Sequence, residues 1–363
     1  MKLLEKACLA WSRITVWGLA VLLLWGGRSL SAQDGGAECI RRAQSLYDRG
    51  SLVEVARELP ECLRRKDLSR EKRAEGYIVL AQTYLFLDRY QEAARMIRKL
   101  LRSNPEFSAD PRLYSSEFMQ LVDGFRAVPL VSLGARGGLN QSLVEVITSY
   151  SVGAQEPAYN GAYIRRLGWN GALTADFYLF HNTTIGFELM YTVKEFTFWE
   201  NPLPQTILSY REILNYAEVP LTLKYEFGRG RFTPYVRAGG SIGRLLWANK
   251  DSISTRVNAD PATITLTGEA ISITKQRNEW EYNLLLGAGL SIRSGFNRVI
   301  FEARYRHGMY NIVDTKNRFQ NPQFQYFYYS IDDDFRLHNL ELSIGYTHRF
   351  WKVRSRKRKL NRK

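Results

Sequence analysis

Residues 216–240, YAEVPLTLKYEFGRGRFTPYVRAGG, alternate between two kinds of side chain along their length. Ala217 and Val219 occupy one set of alternate positions, and Glu218 and Lys224 occupy the other. A period of two indicates two β-strands, joined by a turn at GRGR, each with one apolar and one polar face. In a soluble sheet the apolar face packs inward, whereas in a membrane barrel it faces lipid and the polar face lines the interior.

The first 32 residues have the features of a secretory signal peptide. Three basic residues precede an apolar run at 14–25, and small residues follow it. The run is too short to span a bilayer comfortably, and its flanks are those of a cleaved leader. We therefore expect residues 1–32 to be removed on export, and both Ser31 and Ala32 remain candidates for the last residue of the leader.

The net charge of +15 is concentrated at the ends of the chain. Part of it leaves with the leader, and residues 352–363, KVRSRKRKLNRK, contain eight Lys or Arg and no acid. The remaining chain is close to balanced, so the basicity belongs to a terminal tail rather than to a binding face. We therefore predict a basic tail at 353–363 and no nucleic-acid partner.

Residues 33–127 have helical patterns and an internal repeat. Tyr47 and Tyr84 lie 37 residues apart, as do Ala56 and Ala93. The second unit resembles a tetratricopeptide repeat, and the matching residues are Tyr77, Leu80, Ala81, Tyr84, Ala93, Ile97, Leu100 and Pro105. The resemblance implies a surface for docking proteins, with a plain helical spacer as the alternative. A third helix is expected at about residues 111–125.

Two cysteines remain after removal of the leader. Cys39 lies near the start of the first predicted helix and Cys62 near the end of the second. An antiparallel helix pair brings these ends together, and an exported protein encounters an oxidising compartment. We predict a disulfide between them, with two free thiols as the alternative.

From residue 128 to 352 the period changes to two. We count eight strand candidates, which begin at Pro129, Ala162, Thr183, Arg211, Arg231, Glu279, Arg298 and Arg336. Long links at 141–161, 199–210, 249–278 and 314–335 alternate with short turns. An even number of strands with long loops at one end is typical of outer-membrane barrels. The predicted fold class is α+β multidomain: helical tetratricopeptide-like hairpins followed by an eight-stranded antiparallel transmembrane β-barrel.

The polar face of these strands is rich in charges of both signs. The predicted lumen charges are Glu188, Lys194, Glu218, Lys224, Glu226, Arg237, Glu302, Arg304 and Glu341. Eight strands leave an interior just wide enough for side chains, and unpaired buried charges are costly. We therefore expect the charges to pair and to plug the barrel rather than to line a channel.

Three segments of the strand region resemble a known family. YAEVPLTLKYEFGRGRFTPYVRAGG, IFEARYRHGMYNI and LELSIGYTHRF resemble the PorT-type outer-membrane barrels of Bacteroidota, over roughly residues 131–350. The resemblance implies an outer-membrane barrel and a link to type IX secretion. The last strand, ending at Phe350, is similar to the insertion signal that the barrel-assembly machinery recognises.

Signals for catalysis are weak, and we predict no catalytic residue, cofactor or metal. His307 has the parity of a lipid-facing residue near the outer end of its strand, but no serine stands at a matching height nearby. The acidic run 332–334 is interpreted as a solvated loop, with calcium binding as the alternative. The aromatic segment 324–330 either stacks on sugars or packs on its own loop, and the sequence does not choose between these.

These observations together predict a non-catalytic outer-membrane barrel that anchors a periplasmic domain for docking to proteins, in envelope assembly or secretion. The expected partners are outer-membrane lipid, the barrel-assembly machinery during biogenesis, and a periplasmic or outer-membrane protein. The helical domain and the basic tail are expected to share the periplasmic side, because an even number of strands returns the chain to that side. The alternatives are a barrel enzyme that acts on lipids and a small-solute channel.

Overall fold

A computed structural model describes residues 34–150, 161–180, 182–203, 205–228, 230–259, 262–294 and 296–355. The predicted signal peptide and residues 356–363 of the predicted tail lie outside this range. The chain divides into two compact units. One contains the described residues up to Val128 together with those from Trp351 onward, and the other extends from Pro129 to Phe350.

The first unit is helical. Its helices are α1 (Asp34–Asp48), α2 (Leu52–Cys62), α3 (Arg70–Phe86), α4 (Tyr90–Ser103) and α5 (Ser116–Asp123). The central helix α3 packs against α1, α2, α4 and α5. Ser69 caps α3 by accepting a hydrogen bond from the Lys72 amide at 3.2 Å, which satisfies a donor that the first helical turn leaves free. Among the described helices, none is long and apolar enough to span a membrane.

The residues at tetratricopeptide-like positions form much of the core of this unit. Ala81, Ala93, Ile97 and Leu100 are fully buried, and Leu80 and Tyr84 are nearly so; Tyr77 packs against them from the edge. Helix α5, which the sequence predicted at about residues 111–125, is shorter than expected. It covers Ser116–Asp123, because Ser115 caps it through the Phe118 amide and the chain enters a strand at Phe125.

A disulfide joins α1 to α2. Cys39 is bonded to Cys62, with their Cα atoms 6.1 Å apart. Both residues pack against the helical core. A link across 23 residues restricts the unfolded chain and, in a unit of this size, contributes about 2–4 kcal/mol to stability.

The second unit is a large antiparallel sheet of the barrel type. Its strands are β1 (Phe125–Thr148), β2 (Ala162–Arg165), β3 (Leu167–Tyr178), β4 (Thr183–Glu200), β5 (Thr206–Glu226), β6 (Phe232–Ala259), β7 (Ala262–Thr267), β8 (Ile271–Ser272), β9 (Trp280–Ser294), β10 (Asn297–Gly308) and β11 (Asp334–Ser355). The long strands follow the order β4-β3-β1-β11-β10-β9-β6-β5, and β5 pairs again with β4. The sheet therefore closes on itself.

The strands extend further than the sequence predicted. The link expected at 199–210 is mostly strand, since β4 ends at Glu200 and β5 begins at Thr206. The link expected at 249–278 contains the end of β6, which pairs with β7 and β8. The link expected at 314–335 contains a helix, α6 (Pro322–Tyr328). Hydrogen bonding between neighbouring strands continues beyond the residues that alternate between apolar and polar. Periodicity alone therefore predicted strands that are too short.

One predicted strand is interrupted. The candidate that begins at Ala162 is divided at Arg166 into β2 and β3. Arg165 pairs with Phe196, whereas Trp169 pairs with Val193, so one extra residue is accommodated between them. An extra residue in one strand of an antiparallel pair is a β-bulge. The bulge separates β2 from β1, and β2 pairs with β4 alone.

The two faces of the closed sheet answer the question posed by residues 216–240. Val219, Leu221 and Leu223 are exposed, whereas Glu218 and Lys224 are buried. Other apolar side chains on the exposed face include Leu167, Trp169, Leu173, Phe177, Leu179, Leu189, Leu284, Leu286, Phe301 and Leu342. A sheet with apolar side chains outside and charges inside is that of a membrane barrel.

Candidate functional site

The interior of the barrel is filled with charged side chains. Among the described residues of the second unit, eleven buried side chains are basic and eleven are acidic. The basic residues are Arg136, Lys194, Lys224, Arg237, Lys250, Arg277, Arg298, Arg304, Arg306, Arg318 and Arg349. The acidic residues are Asp176, Glu188, Glu200, Glu212, Glu218, Glu226, Glu281, Glu302, Asp332, Asp333 and Glu341. All nine predicted lumen charges are among them, and the two signs balance.

Glu188 lies at the centre of this network. Its carboxylate accepts hydrogen bonds from Arg136 at 2.8 and 3.0 Å, from Arg304 at 2.6 and 2.8 Å, and from Arg237 at 3.0 Å. Glu302 lies beside it, ion-paired with Arg304 and 3.5 Å from Arg237. One carboxylate thus holds three guanidinium groups that come from three different strands, β1, β6 and β10.

A second group of charges lies nearer the end of the barrel that bears the links β1–β2, β4–β5, β6–β9 and β10–β11, here called the long-loop rim. Arg306 is ion-paired with Glu218 and lies 2.8 Å from Glu341. Lys194 lies 2.6 Å from Glu281 and 3.3 Å from Glu218. Each of the two cations therefore has two acidic partners.

A third group lies toward the opposite end, here called the short-turn rim, which bears the turns β3–β4, β5–β6 and β9–β10. Glu226 accepts hydrogen bonds from Arg298 at 2.8 Å and from Arg349 at 3.2 Å. Lys224 lies 2.7 Å from Asp176. The ion pairs thus extend through most of the length of the lumen.

Little free space remains between these side chains. The central cavity, lined by Arg136, Glu188, Arg237, Glu302 and Arg304 among others, measures about 10 Å³. That volume is close to the minimum that one water molecule requires. Among the described residues, the central part of the barrel interior is therefore a packed polar core.

An apolar layer closes the lumen toward the long-loop rim. Its buried members are Phe196, Leu214, Tyr216, Leu245, Ala248, Ile273, Ile312, Val313, Phe335 and Leu337. They come from four strands, from the link 273–279 between β8 and β9, and from the link 309–333 between β10 and β11. These links therefore fold into the mouth of the barrel and contribute to its core.

Above the apolar layer, Asp332 is held by two cations. Its carboxylate lies 2.5 Å from the Lys250 ammonium and 2.8 Å from the Arg277 guanidinium, and Arg277 also binds Glu212 through two hydrogen bonds. Burial acts to raise the pKa of Asp332, but the charges of Arg277 and Lys250 hold that pKa well below its usual range. The Lys250 ammonium also lies 3.7 Å from the centroid of the Phe324 ring.

The acidic run 332–334 is therefore neither a solvated loop nor an open cation site. Asp333 accepts a hydrogen bond from the Tyr163 hydroxyl at 2.8 Å, and Asp334 accepts one from Asn311 at 2.6 Å. Among the described residues, no group of three or more His, Cys, Asp or Glu side chains is arranged to hold a metal ion. The solvated-loop interpretation failed because composition does not reveal that a loop folds into the barrel mouth.

Glu200 is a buried carboxylate in the same mouth. It is 3 % exposed, and Ser330, Asp332, Asp333 and Lys250 are its polar surroundings. Burial raises the pKa of Glu200 to about 7. This group therefore changes its charge near neutral pH.

Two of the described histidines lie against each other. His307 stacks on His338, with ring centroids 4.5 Å apart. The Nδ1 atom of His338 accepts a hydrogen bond from the Gly308 amide at 3.0 Å, so its Nε2 carries the proton and donates it to Glu145 at 2.8 Å. Both ring nitrogens of His338 are occupied, and neither is free to accept a proton from a hydroxyl group.

The aromatic segment 324–330 divides between two environments. Phe324 is buried and packs against Tyr210, whereas Tyr326 and Phe327 are 75 % and 76 % exposed. Part of this segment therefore packs on the barrel, and part of it is open to solvent.

Sequence reasoning missed several charges of the network. Glu281 alternates with the exposed Trp280 and Tyr282, and Arg306 shares the parity of Glu302 and Arg304, so parity could have identified both. No such signal marks Arg277 or Asp332, because they belong to links that have no regular period.

Comparison with known proteins supports the membrane assignment. The family model described as outer membrane protein beta-barrel domain matches residues 126–314. No curated protein matches the chain. Three solved structures to which it is similar are all outer-membrane proteins or surface proteins of bacteria.

Neisserial surface protein A is 12 % identical, with a TM-score of 0.30, and the alignment covers 62 % of this chain and 99 % of that one. OprG from Pseudomonas aeruginosa is 11 % identical, with a TM-score of 0.32 and coverage of 61 % and 97 %. The outer membrane protease OmpT from Escherichia coli is 11 % identical, with a TM-score of 0.28 and coverage of 63 % and 97 %.

The family model covers more than half of the chain, and it lies on the region that forms the closed sheet. The apolar exterior and the charged interior of that sheet agree with the match. The chain is an outer-membrane β-barrel protein with a helical N-terminal region, and it belongs to the family of the outer membrane protein beta-barrel domain.

Proposed function

We propose that this chain is a non-catalytic, eight-stranded outer-membrane barrel that anchors a tetratricopeptide-like domain for docking to a protein partner. The observation that carries the proposal is the filled lumen. Eleven basic and eleven acidic side chains are buried among the described residues of the second unit, and the central cavity measures about 10 Å³. The packed lumen supports the role of an anchor over that of a channel, and the engagement of both ring nitrogens of His338 supports it over that of a hydrolase.

The helical unit supplies the docking surface in this proposal. Phe86, the last residue of α3, is 65 % exposed, and Tyr90, the first residue of α4, is 52 % exposed. The Phe86 ring also contacts Tyr47 of the first repeat, with centroids 6.2 Å apart. Exposed aromatic side chains are enriched at protein interfaces, and two of them at consecutive helix ends of the second repeat favour a protein ligand.

The orientation in this proposal follows the ordinary rule for such barrels. Tight turns lie on the periplasmic side, and an even number of strands returns both ends of the chain to that side. The helical unit and the basic tail are then periplasmic, and the long-loop rim faces outward. The resemblance to PorT-type barrels supports a place in envelope assembly or type IX secretion, after insertion by the barrel-assembly machinery.

Site-specific photo-cross-linking in cells tests the docking surface. A photoreactive residue at position 86 or 90 should give covalent adducts with a protein, which mass spectrometry then identifies. Leu113 is the matched control, because it is 73 % exposed on the same unit but outside the two repeats. The proposal fails if neither position 86 nor position 90 gives a protein adduct while the barrel shows the heat-modifiable migration of a folded protein.

The alternative functions lead to opposite observations. A small-solute channel should give a stable conductance in planar bilayers, and a lipid hydrolase should release fatty acid from outer-membrane lipid. The docking proposal expects neither, and either result in the folded wild-type protein would contradict it.

A further inference from the structure

A band of aromatic side chains marks the height of the membrane interface on the outer face of the barrel. Trp169 and Tyr191 have ring centroids 5.4 Å apart, and Tyr191 and Trp247 have centroids 6.2 Å apart. Trp169 is 50 % exposed and Trp247 is 45 % exposed. Tryptophan and tyrosine collect where the hydrocarbon region meets the headgroups. The side chains that follow this band toward the long-loop rim therefore lie at headgroup height.

An open groove lies directly beyond the band. It measures about 530 Å³, and its walls include Arg165, Arg166 and Leu167 on one side and Glu195 and Arg211 on the other. The bulge at the junction of β2 and β3 places two consecutive arginines here, because the extra residue breaks the alternation of faces. Both arginines are exposed.

The positive charge of the two arginines is not neutralised within the groove. Arg166 donates from Nε to the Thr197 hydroxyl at 2.6 Å, and this contact leaves its two amino groups available. Arg165 forms no ion pair within the part of the chain that the structure describes.

The third guanidinium group of the groove is already compensated. Arg211 donates to Asp251 at 2.8 and 2.7 Å and lies 3.8 Å from Glu195. Arg211 therefore pairs directly with both nearby acids. The charge of Arg166 also acts on Asp251, but Arg165 and Arg166 keep guanidinium donors for a ligand above an apolar surface formed by Leu167 and Trp169.

We propose that this groove binds a phosphate-bearing lipid of the outer leaflet. The guanidinium groups of Arg165 and Arg166 hold the phosphate, and the acyl chains lie along Leu167 and Trp169. Arginine suits this ligand because its planar fork offers paired donors to phosphate oxygens. The assignment to the outer leaflet rests on the orientation given under the proposed function, whereas the binding of a phosphorylated lipid does not depend on it.

Native mass spectrometry of the full chain in detergent tests the site. The probes are lipid A with its phosphates, the same lipid with the phosphates removed, and inorganic phosphate. Arg165→Gln combined with Arg166→Gln removes the proposed donors. Arg244→Gln is the matched control. Arg244 is an exposed arginine beside the aromatic residue Trp280, and its charge is already paired with Glu279 at 2.7 Å.

The wild type should retain phosphorylated lipid A at least about tenfold more strongly than the phosphate-free form, and less strongly as salt increases. The double variant should lose about tenfold in retention, while Arg244→Gln should remain within about twofold of the wild type. Equal retention by the double variant and the control would overturn the proposal, as would equal binding of both lipids. Displacement of the lipid by millimolar inorganic phosphate would indicate a site for free anions and would also overturn it. The salt series on the wild type needs no variant to fold.

Discussion

Replacing Glu188 by glutamine removes the carboxylate that holds three arginines together. Arg136 loses two hydrogen bonds, and its next acidic neighbour, Glu341, lies 3.8 Å away. Arg304 retains Glu302, and Arg237 retains Glu302 at 3.5 Å. The substitution therefore leaves one buried guanidinium poorly compensated and weakens two others. Breaking a buried ion pair in this way costs about 3–5 kcal/mol, so the free energy of unfolding should fall by that amount.

Glu218→Gln provides a control in the same lumen. Its two cationic partners keep other acids: Arg306 lies 2.8 Å from Glu341, and Lys194 lies 2.6 Å from Glu281. No cation is left without a partner, so the expected loss is about 1–3 kcal/mol, typical of one buried charge-assisted hydrogen bond. The comparison separates the charge balance of the network from the general effect of altering a buried residue.

Urea-induced unfolding in lipid vesicles, followed by tryptophan fluorescence, measures both variants against the wild type. Adding Arg136→Gln to Glu188→Gln should recover part of the loss, because it removes the cation that was left uncompensated. The reasoning is refuted if Glu188→Gln costs less than about 1 kcal/mol, or no more than Glu218→Gln.

Four further results are expected. Alkylation followed by mass spectrometry should find Cys39 linked to Cys62, and free reaction of both thiols in the oxidised protein would contradict this. Planar-bilayer recordings of the wild type should show no stable large conductance, since the lumen is filled. Deletion of residues 356–363, which begin after the end of β11 at Ser355, should leave the barrel heat-modifiable. If the tail binds anionic lipid, liposome binding of this variant should fall most at low salt, and unchanged binding across a salt series would leave a solvated tail. The pKa of Glu200 in the folded state, about 7, lies above its unfolded value, so the free energy of unfolding should fall as pH rises from about 4.5 to 7, by at most about 1.4 kcal/mol per pH unit. Unfolding titrations of Glu200→Gln should show a flatter pH dependence, and an unchanged slope would contradict the assignment.

Local patterns in the sequence were sufficient for the outline of the fold. Alternation with a period of two assigned Glu188, Glu218 and Lys224 to the interior, because successive side chains of a strand point to opposite faces whatever the strand pairs with. The same rule placed Leu221 and Leu223 outside. The position of helical residues such as Ala81 in the core likewise depends on spacing along one helix.

The limits of each strand required the tertiary structure. β4 ends at Glu200 and β5 begins at Thr206, while β6 ends at Ala259 and β7 begins at Ala262, whereas composition suggested much longer links. Strand ends are set by the hydrogen bonds that a neighbouring strand offers, and the alternating apolar pattern does not record these.

The partners of each charge also required the tertiary structure. Glu188 meets Arg136, 52 residues away, and Arg304, 116 residues away, and no sequence spacing encodes these contacts. Asp332 belongs to a link with no regular period, yet the closed sheet brings it between Lys250 and Arg277. A strand determines on its own which of its faces is polar. Which cation pairs with which carboxylate depends on the register and closure of the whole barrel, because the ion pairs join strands that are far apart in the sequence.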